Sequence, residues 1–415
     1  MTTGHIHTPL APETLLAALF DTPPEPRHCG GLTLASGALL GHPLDCFVLH
    51  GSDCTSTDHA TLLEFLATPR TAARPLMGIF ACGPAADEDG HLLERQALLL
   101  QRLAAARGQA PYLSIVLTQQ TGTLAALAAL ADLTLVARPV GSLALHGPNA
   151  MLEARALVFD ADALGGPAAL RHQSGLALRS CRSTLEALRH ARLALPLLSS
   201  LQSPVPASAA QPAQALATLL PDTRGAFDCR ELVDTLTDAG SLLAWHDDDD
   251  LAVATGIARL RGRTFGIVSN RPQRHAGHLG LAELRRIERF LQLCRIRRLP
   301  VLSLIDTGGL LPALPDTDAD LLATWLRVLD AWQALETPRI SIVPRLALGA
   351  GALSMGLAPA TPRHIRIDWQ GAGIQAGGTF ADARPAAQPA GPYHLLTAPA
   401  DCPLAVQTAL DLLQA

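Results

Sequence analysis

Two stretches of this chain have residue types and spacing suited to gathering backbone N–H groups at one point. Leu113-Ser-Ile-Val-Leu-Thr-Gln-Gln-Thr-Gly-Thr-Leu-Ala-Ala-Leu reads as a buried β-branched strand, a short turn, and a glycine, Gly122, opening an Ala/Leu-rich helix. About 227 residues later, Ile340-Ser-Ile-Val-Pro-Arg-Leu-Ala-Leu-Gly-Ala-Gly-Ala-Leu repeats the pattern around Gly349. The first turn of a helix leaves N–H groups without intrahelical partners, and the helix dipole puts its positive end in the same place. An oxygen that becomes negatively charged during a reaction is stabilised there, as in an oxyanion hole. A single copy reads equally well as a packing turn. The matched pair favours the chemical reading.

The elements that must position these turns recur in the same order. A short helix around Pro12–Phe20 is stopped by Pro23-Pro24-Glu25-Pro26, a lead-in at the periphery. From Gly30 the pattern is strand, turn, strand, then a helix at Ala60–Leu66, a strand after Pro75, a long helix over His91–Arg107, the Gly122 unit, and a strand at Leu133–Val136. Residues 150–200 read as irregular, helix-rich packing, and 202–220 have the Pro/Ala/Ser/Gln composition of a linker. After the linker the order restarts, with Leu251–Arg263 leading into Phe265-Gly-Ile-Val-Ser, a helix through Leu281–Leu293, a buried strand at Pro300–Asp306, a helix over Asp318–Leu335, and the Gly349 unit. The offsets agree: Gly37 to Gly256 is about 219 residues, Gly83 to Gly308 about 225, Gly122 to Gly349 about 227. The organisation expected is therefore an α/β internal duplication: lead-in 1–29, first domain 30–201, linker 202–225, second domain 226–415.

Composition removes several classes of chemistry. The 415 residues include no lysine, which excludes a Schiff base and a Walker-type phosphate lysine. Aromatics at 4% and a net charge of −5 argue against a nucleic-acid partner. The eight cysteines show no CxxC spacing and read as reduced thiols of a cytoplasmic protein, with no zinc site expected. No apolar run reaches the roughly 18–20 residues of a membrane span, and no signal peptide is read at the N-terminus.

Several motifs carry a resemblance. Gly256-Ile-Ala-Arg-Leu-Arg-Gly-Arg-Thr-Phe-Gly-Ile-Val-Ser-Asn-Arg-Pro is similar to the G-F-A-R-x-x-G-R-x-V-G-I-V-A-N-Q-P of carboxyltransferase (β) subunits of biotin-dependent acyl-CoA carboxylases. Ala276-Gly-His-Leu, Arg289-Phe and Cys294 fall on that family's A-G-x-L, R-F and C, and Leu304-Ile-Asp-Thr-Gly-Gly-Leu-Leu-Pro resembles L-V-D-V-P-G-F-L-P. In the first half, Leu164-Gly-Gly-Pro, Ser174-Gly and Leu195-Pro resemble E-L-G-G, S-G and the L-P that opens the family's linker. The resemblance implies two tandem crotonase-like ββα-superhelix domains. It also implies an acyl-CoA substrate and carboxybiotin delivered on a partner carrier domain. An enolate and the biotin ureido oxygen would be held by two pairs of backbone amides, with no metal. Those pairs fall on Gly122 and Thr123, and on Ala350 and Gly351, while Gly83, Gly90, Gly147, Gly308 and Gly309 are the candidate substrate-binding glycines. A biotin carboxylase or carrier subunit, and a homo-oligomer or a hetero-oligomer with a paralogous carboxyltransferase subunit, are the partners implied.

The departures have consequences too. The family's D-S-G-G-A-R-I-Q-E-G falls on Ala81–Gly90 without its arginine, and its R-H-G-A falls on Ala323-Thr-Trp-Leu. Its C-terminal helix is replaced here by a different short tail, and Arg74 and Arg102 are left as candidates for CoA phosphates. A non-catalytic paralogous subunit and an acyl-CoA decarboxylase are therefore the alternatives to a carboxyltransferase. Asp306 reads as a site-orienting residue or a turn cap, His275 and His278 as channel-lining or solvated loop residues, and His146 as structural. Asp247–Asp250 reads as a solvated turn, and Trp325 with Trp332 as core or interface aromatics.

Overall fold

The computed structural model describes residues 10–67, 74–86, 89–173, 176, 178–199, 229–245, 250–315, 317–377, 389 and 391–413. The linker read at 202–225, Ser174-Gly175 and three of the four acids of Asp247–Asp250 lie outside the described residues. The chain divides into two compact units, Met1–Arg171 with Leu176–Ser199, and His172–Gly175 with Ser200–Ala415.

In the first unit the strands are β1 (Arg27–Cys29), β2 (Leu32–Leu39), β3 (His42–Gly51), β4 (Cys54–Thr55), β5 (Leu76–Cys82), β6 (Ala85–Ala86), β7 (Tyr112–Val116), β8 (Gln119–Thr121), β9 (Leu133–Ala137), β10 (Ser142–Ala144) and β11 (Leu178–Cys181). Seven of them form one sheet in the order β1-β2-β3-β5-β7-β9-β11, antiparallel up to β3 and parallel beyond it, and β8 pairs with β10 in a separate parallel ribbon. The second unit repeats this with β12 (Leu243–Ala244), β13 (Val253–Leu260), β14 (Arg263–Asn270), β15 (Val301–Leu304), β16 (Arg339–Val343), β17 (Leu346–Leu348), β18 (His364–Trp369), β19 (Gly373–Gln375) and β20 (His394–Thr397). Its sheet runs β12-β13-β14-β15-β16-β18-β20, and β17 pairs with β19 in the matching ribbon. Parallel strands inside such a sheet are buried on both faces and mostly apolar, as β5 and β7 are buried along their whole length, with Ser114 the polar residue of β7.

The duplication reaches single side chains. The β2–β3 turn is Leu40-Gly41 and the β13–β14 turn is Arg261-Gly262, each pair with positive φ, the geometry that matches the twist of a two-residue hairpin. Asp21 accepts from the amides of Leu40 and Gly41 at 2.9 and 2.8 Å; Asp238 accepts from those of Arg261 and Gly262 at 2.9 and 2.7 Å. Those amides hold the Asp21 carboxyl below its ordinary value. The lead-in is thus built into the first unit, with Leu15, Leu16 and Leu19 buried and Arg192 paired with Asp21 at 3.0 Å. At the other end, the tail read as a replacement for a helix is itself a helix, Cys402–Leu412, preceded by β20. Its Cys402, Val406, Ala409 and Leu410 join the second core. The stretch 150–200 is more regular than expected, because β11 completes the first sheet between the helices Pro167–Gln173 and Thr184–Leu198.

The cores carry buried polar groups with assigned partners. Arg107 and Asp132 pair at 2.6 Å, and the second Asp132 oxygen accepts from the Tyr112 amide. All eight cysteines are free thiols and all but Cys29 are buried; burial pushes the thiols of Cys181 and Cys402 up to about 12. In the second unit, Nε2 of His364 lies 2.7 Å from Ser341 Oγ and Nδ1 lies 3.2 Å from the Pro359 carbonyl. Burial, reinforced by Arg339, lowers its pKa from 6.5 to about 4. Between those values the unfolded chain takes up a proton that the folded chain refuses, so stability falls as pH drops through this window. We expect the second unit to lose about 3 kcal/mol between pH 6.5 and 4 from this group, and His364→Gln to flatten the loss. Tryptophan fluorescence in urea at a series of pH values checks it, since all four tryptophans lie in the second unit. A parent curve flat across the window would contradict a neutral buried imidazole.

Candidate functional site

In the first unit a cleft of about 520 Å³ opens where β3, β5 and β7 end, lined among others by Ser52, Cys82, Gly83, Thr118, Thr121 and Gly147. The strand ends are drawn together closely. A Cβ on Gly83 would lie 1.7 Å from the Ser52 carbonyl oxygen, so only glycine permits this approach. Thr118 Oγ1 donates to the Cys82 carbonyl at 2.7 Å, and Gln120 Nε2 donates to the same carbonyl at 3.0 Å. This clamp fixes the β7–β8 turn, and β8 feeds directly into the helix Gly122–Ala129. Gly122 has φ +58°, its N–H donates to Leu145 at 3.2 Å, and a Cβ there would meet no atom within 4 Å. The helix start therefore stands next to Thr121 of the cleft wall, with open space over its first residue.

The second unit builds its turn differently. Gly349 opens the helix Gly349–Ser354 with φ +50°. The turn before it is anchored by Arg345, whose guanidinium straddles the Asp306 carboxylate at 3.0–3.2 Å. Asp306 is fully buried; burial pushes its carboxyl up and Arg345 opposes that. Gly351 is packed so tightly on Gly309 that a Cβ would fall 2.6 Å from that residue's backbone. Over Gly309 itself a Cβ would meet only the Leu348 carbonyl oxygen, at 4.0 Å, which leaves a side-chain-free backbone surface. Beside it, a Cβ on Gly308 would lie 2.4 Å from the His278 ring.

The positions read from the sequence separate accordingly. Gly83 and Gly147 line the cleft, and Gly122 with Thr123 begins the helix beside it. Gly90 is exposed, with φ +74°, and does not line the cleft. Gly308, Gly309 and Gly351 meet in the second unit. The repeated geometry equates Gly122 and Thr123 with Gly349 and Ala350, one residue earlier than the alignment that gives Ala350 and Gly351, because the positive-φ glycine is the helix's first residue in both units. Arg74 pairs with Asp45 at 3.7 Å and Arg102 is exposed on the helix Leu92–Gln109; neither lines the cleft. Asp306 is an ion-pair partner rather than a turn cap, and Trp332 is a core aromatic, donating from Nε1 to Ser354 at 2.8 Å. Sequence reading missed Thr118, Gln120 and Asn270, whose partners are residues distant in the chain.

A match to the carboxyl transferase domain covers residues 47–379. The chain belongs to the carboxyl transferase domain family. This carboxyl transferase chain is 25% identical over 331 residues to the propionyl-CoA carboxylase beta chain of Roseobacter denitrificans, covering 78% of this chain and 64% of that protein's length. It is 26% identical over 365 residues to the propionyl-CoA carboxylase beta chain of Rhodococcus erythropolis, covering 84% and 75% of the two chains. Among solved structures, transcarboxylase 12S, described as a hexamer assembly with hydrolysed methylmalonyl-coenzyme A bound, superimposes with a TM-score of 0.83 at 20% identity, over 97% of this chain and 88% of that one. The carboxyl transferase chain therefore has the fold of tandem crotonase-like domains. Among the described residues no helix is long and apolar enough to cross a membrane.

Proposed function

We propose that this chain is the carboxyltransferase component of a biotin-dependent acyl-CoA carboxylase, working in the cytoplasm. The observation that carries the reading is the first-unit cleft ending at Thr121, directly before a positive-φ glycine with open space above it. In this reading an acyl thioester lies in that cleft. The amides at Gly122 and Thr123 hold its oxygen, the Gly122 N–H leaving the Leu145 carbonyl to do so, as the α-carbon gives up its proton to the ureido nitrogen from which carboxybiotin would release its carboxyl group. The enolate is stabilised by charge-assisted hydrogen bonds. Backbone donors need no particular side chain, so Thr123 is compatible with this role. In the second unit, Ala350 and Gly351, with Gly308 and Gly309, present backbone to a biotin ring, and the open surface over Gly309 fits a flat cyclic urea. Carboxybiotin, carried by a biotin carboxylase or carrier partner, would supply the carboxyl group. A homo-oligomer or an assembly with a paralogous subunit belongs to the same proposal.

Calorimetry with acetyl-, propionyl- and malonyl-CoA tests it. We expect dissociation constants in the micromolar range and carboxyl transfer from a biotin donor. Absence of binding to a well-folded protein would overturn the catalytic reading and leave a non-catalytic paralogous subunit. Binding with loss of CO2 from malonyl-CoA, and no transfer to biotin, would favour a decarboxylase.

A further inference from the structure

The turn His275-Ala276-Gly277 has φ of 47°, 50° and 73°, three successive residues in the left-handed region, two of which carry a Cβ. That conformation is unfavourable for L-residues and persists only where the surroundings over-determine it. Here they do. Thr307 Oγ1 donates to the Gly277 carbonyl at 2.8 Å, and Asn270 reaches the same carbonyl at 3.4 Å while accepting from the Asp306 amide at 3.0 Å. Leu279 donates to Gly309 at 3.0 Å, and Leu311 donates back to Leu279 at 2.9 Å. A Cβ on Gly277 would lie 2.4 Å from the Asp306 carbonyl oxygen. The product of this fixing is the placement of one side chain, His278, flat against Gly308.

The ring is oriented as well as placed. Its Nδ1 lies 2.9 Å from the His275 carbonyl, which can only accept, so Nδ1 carries the hydrogen. In the neutral ring Nε2 is then a lone-pair acceptor. We infer that His278 is a ligand-contacting residue of the second unit, its Nε2 accepting a hydrogen bond from the N1′–H of biotin lying on the open Gly309 backbone beside the ring. The inference rests on the biotin half of the proposed function. The motif A-G-x-L leaves this position unspecified, and the channel-lining reading of His278 is here given an atom and a partner.

The probes are biotin methyl ester and its N1′-methoxycarbonyl derivative, in which an acyl group replaces the N1′ hydrogen and leaves the N3′ hydrogen in place. His278→Asn retains an amide N–H for the His275 carbonyl and, being shorter, places no acceptor where Nε2 lies. We expect the variant to bind biotin methyl ester about five-fold more weakly, as befits one neutral hydrogen bond, and to bind the methoxycarbonyl derivative unchanged. In the parent protein, the imidazole resonance that disappears in the variant should shift on adding biotin methyl ester and stay in place with the derivative. Equal weakening of both ligands, or no weakening of either, would overturn the inference and leave His278 a packing residue. Failure of either ligand to bind the parent, with acyl-CoA binding intact, would overturn the biotin half of the proposed function and this inference with it.

Discussion

Arg345→Ala is expected to destabilise the second unit by about 3–5 kcal/mol, because it strands a carboxylate that has no water to turn to. Asp306 is fully buried, and Arg345 holds both its oxygens. Removing the guanidinium leaves the desolvation that already pushes this carboxyl up, so the folded variant takes a proton that the unfolded chain releases above its ordinary value of 3.8. A raised folded-state pKa stabilises below the unfolded value and loses that contribution as pH rises. The deficit should therefore be largest near neutrality and shrink towards pH 4. Replacing both partners, as in Asp306→Asn with Arg345→Met, should recover much of the loss, since no charge is left stranded. Urea unfolding followed by tryptophan fluorescence measures this in the second unit alone. A loss below about 1 kcal/mol in the single variant would mean that the pair is solvated and does not hold the Gly349 turn.

Gly122→Val is expected to act on chemistry far more than on folding. Its φ of +58° costs a β-branched residue about 1–2 kcal/mol, but the added Cβ would meet no protein atom within 4 Å. What it fills is the space over the helix start, where the proposed thioester oxygen sits. Removing one oxyanion donor typically lowers turnover by roughly 100- to 1,000-fold, and blocking access should do at least as much. Gly41 supplies the control: it has φ +75°, is exposed, and also has nothing within 4 Å of an added Cβ. Gly41→Val should carry the same backbone strain and leave carboxyl transfer intact. Equal activity in the two variants would remove Gly122 from the site.

Much of this was legible in the chain because it is local. A β-branched run, a turn and a glycine before an Ala/Leu helix specify Gly122 and Gly349 without reference to anything else, and the shared offset gives the duplication. What could not be read depends on partners far along the chain. Strand β11 is four residues long and takes its identity from pairing with β9, and the last helix owes its place to apolar contacts with β18 and β20. Whether Ala350 or Gly349 matches Gly122 is a matter of which residue adopts positive φ, and the Gly-Ala-Gly run leaves that open. His278 in a loop looks like any solvated histidine until Gly308, distant in sequence, is found beneath its ring.

The distribution of thiols has a use of its own. Cys46, Cys54, Cys82 and Cys181 are buried in the first unit, and Cys229, Cys294 and Cys402 in the second, so an alkylating reagent finds almost nothing to attack while both units stay closed. Each half thus carries its own set of latent chemical clocks. Brief exposure to such a reagent, followed by peptide mapping, would record which half opens first and how often, and would show whether a bound acyl thioester quietens one half without touching the other.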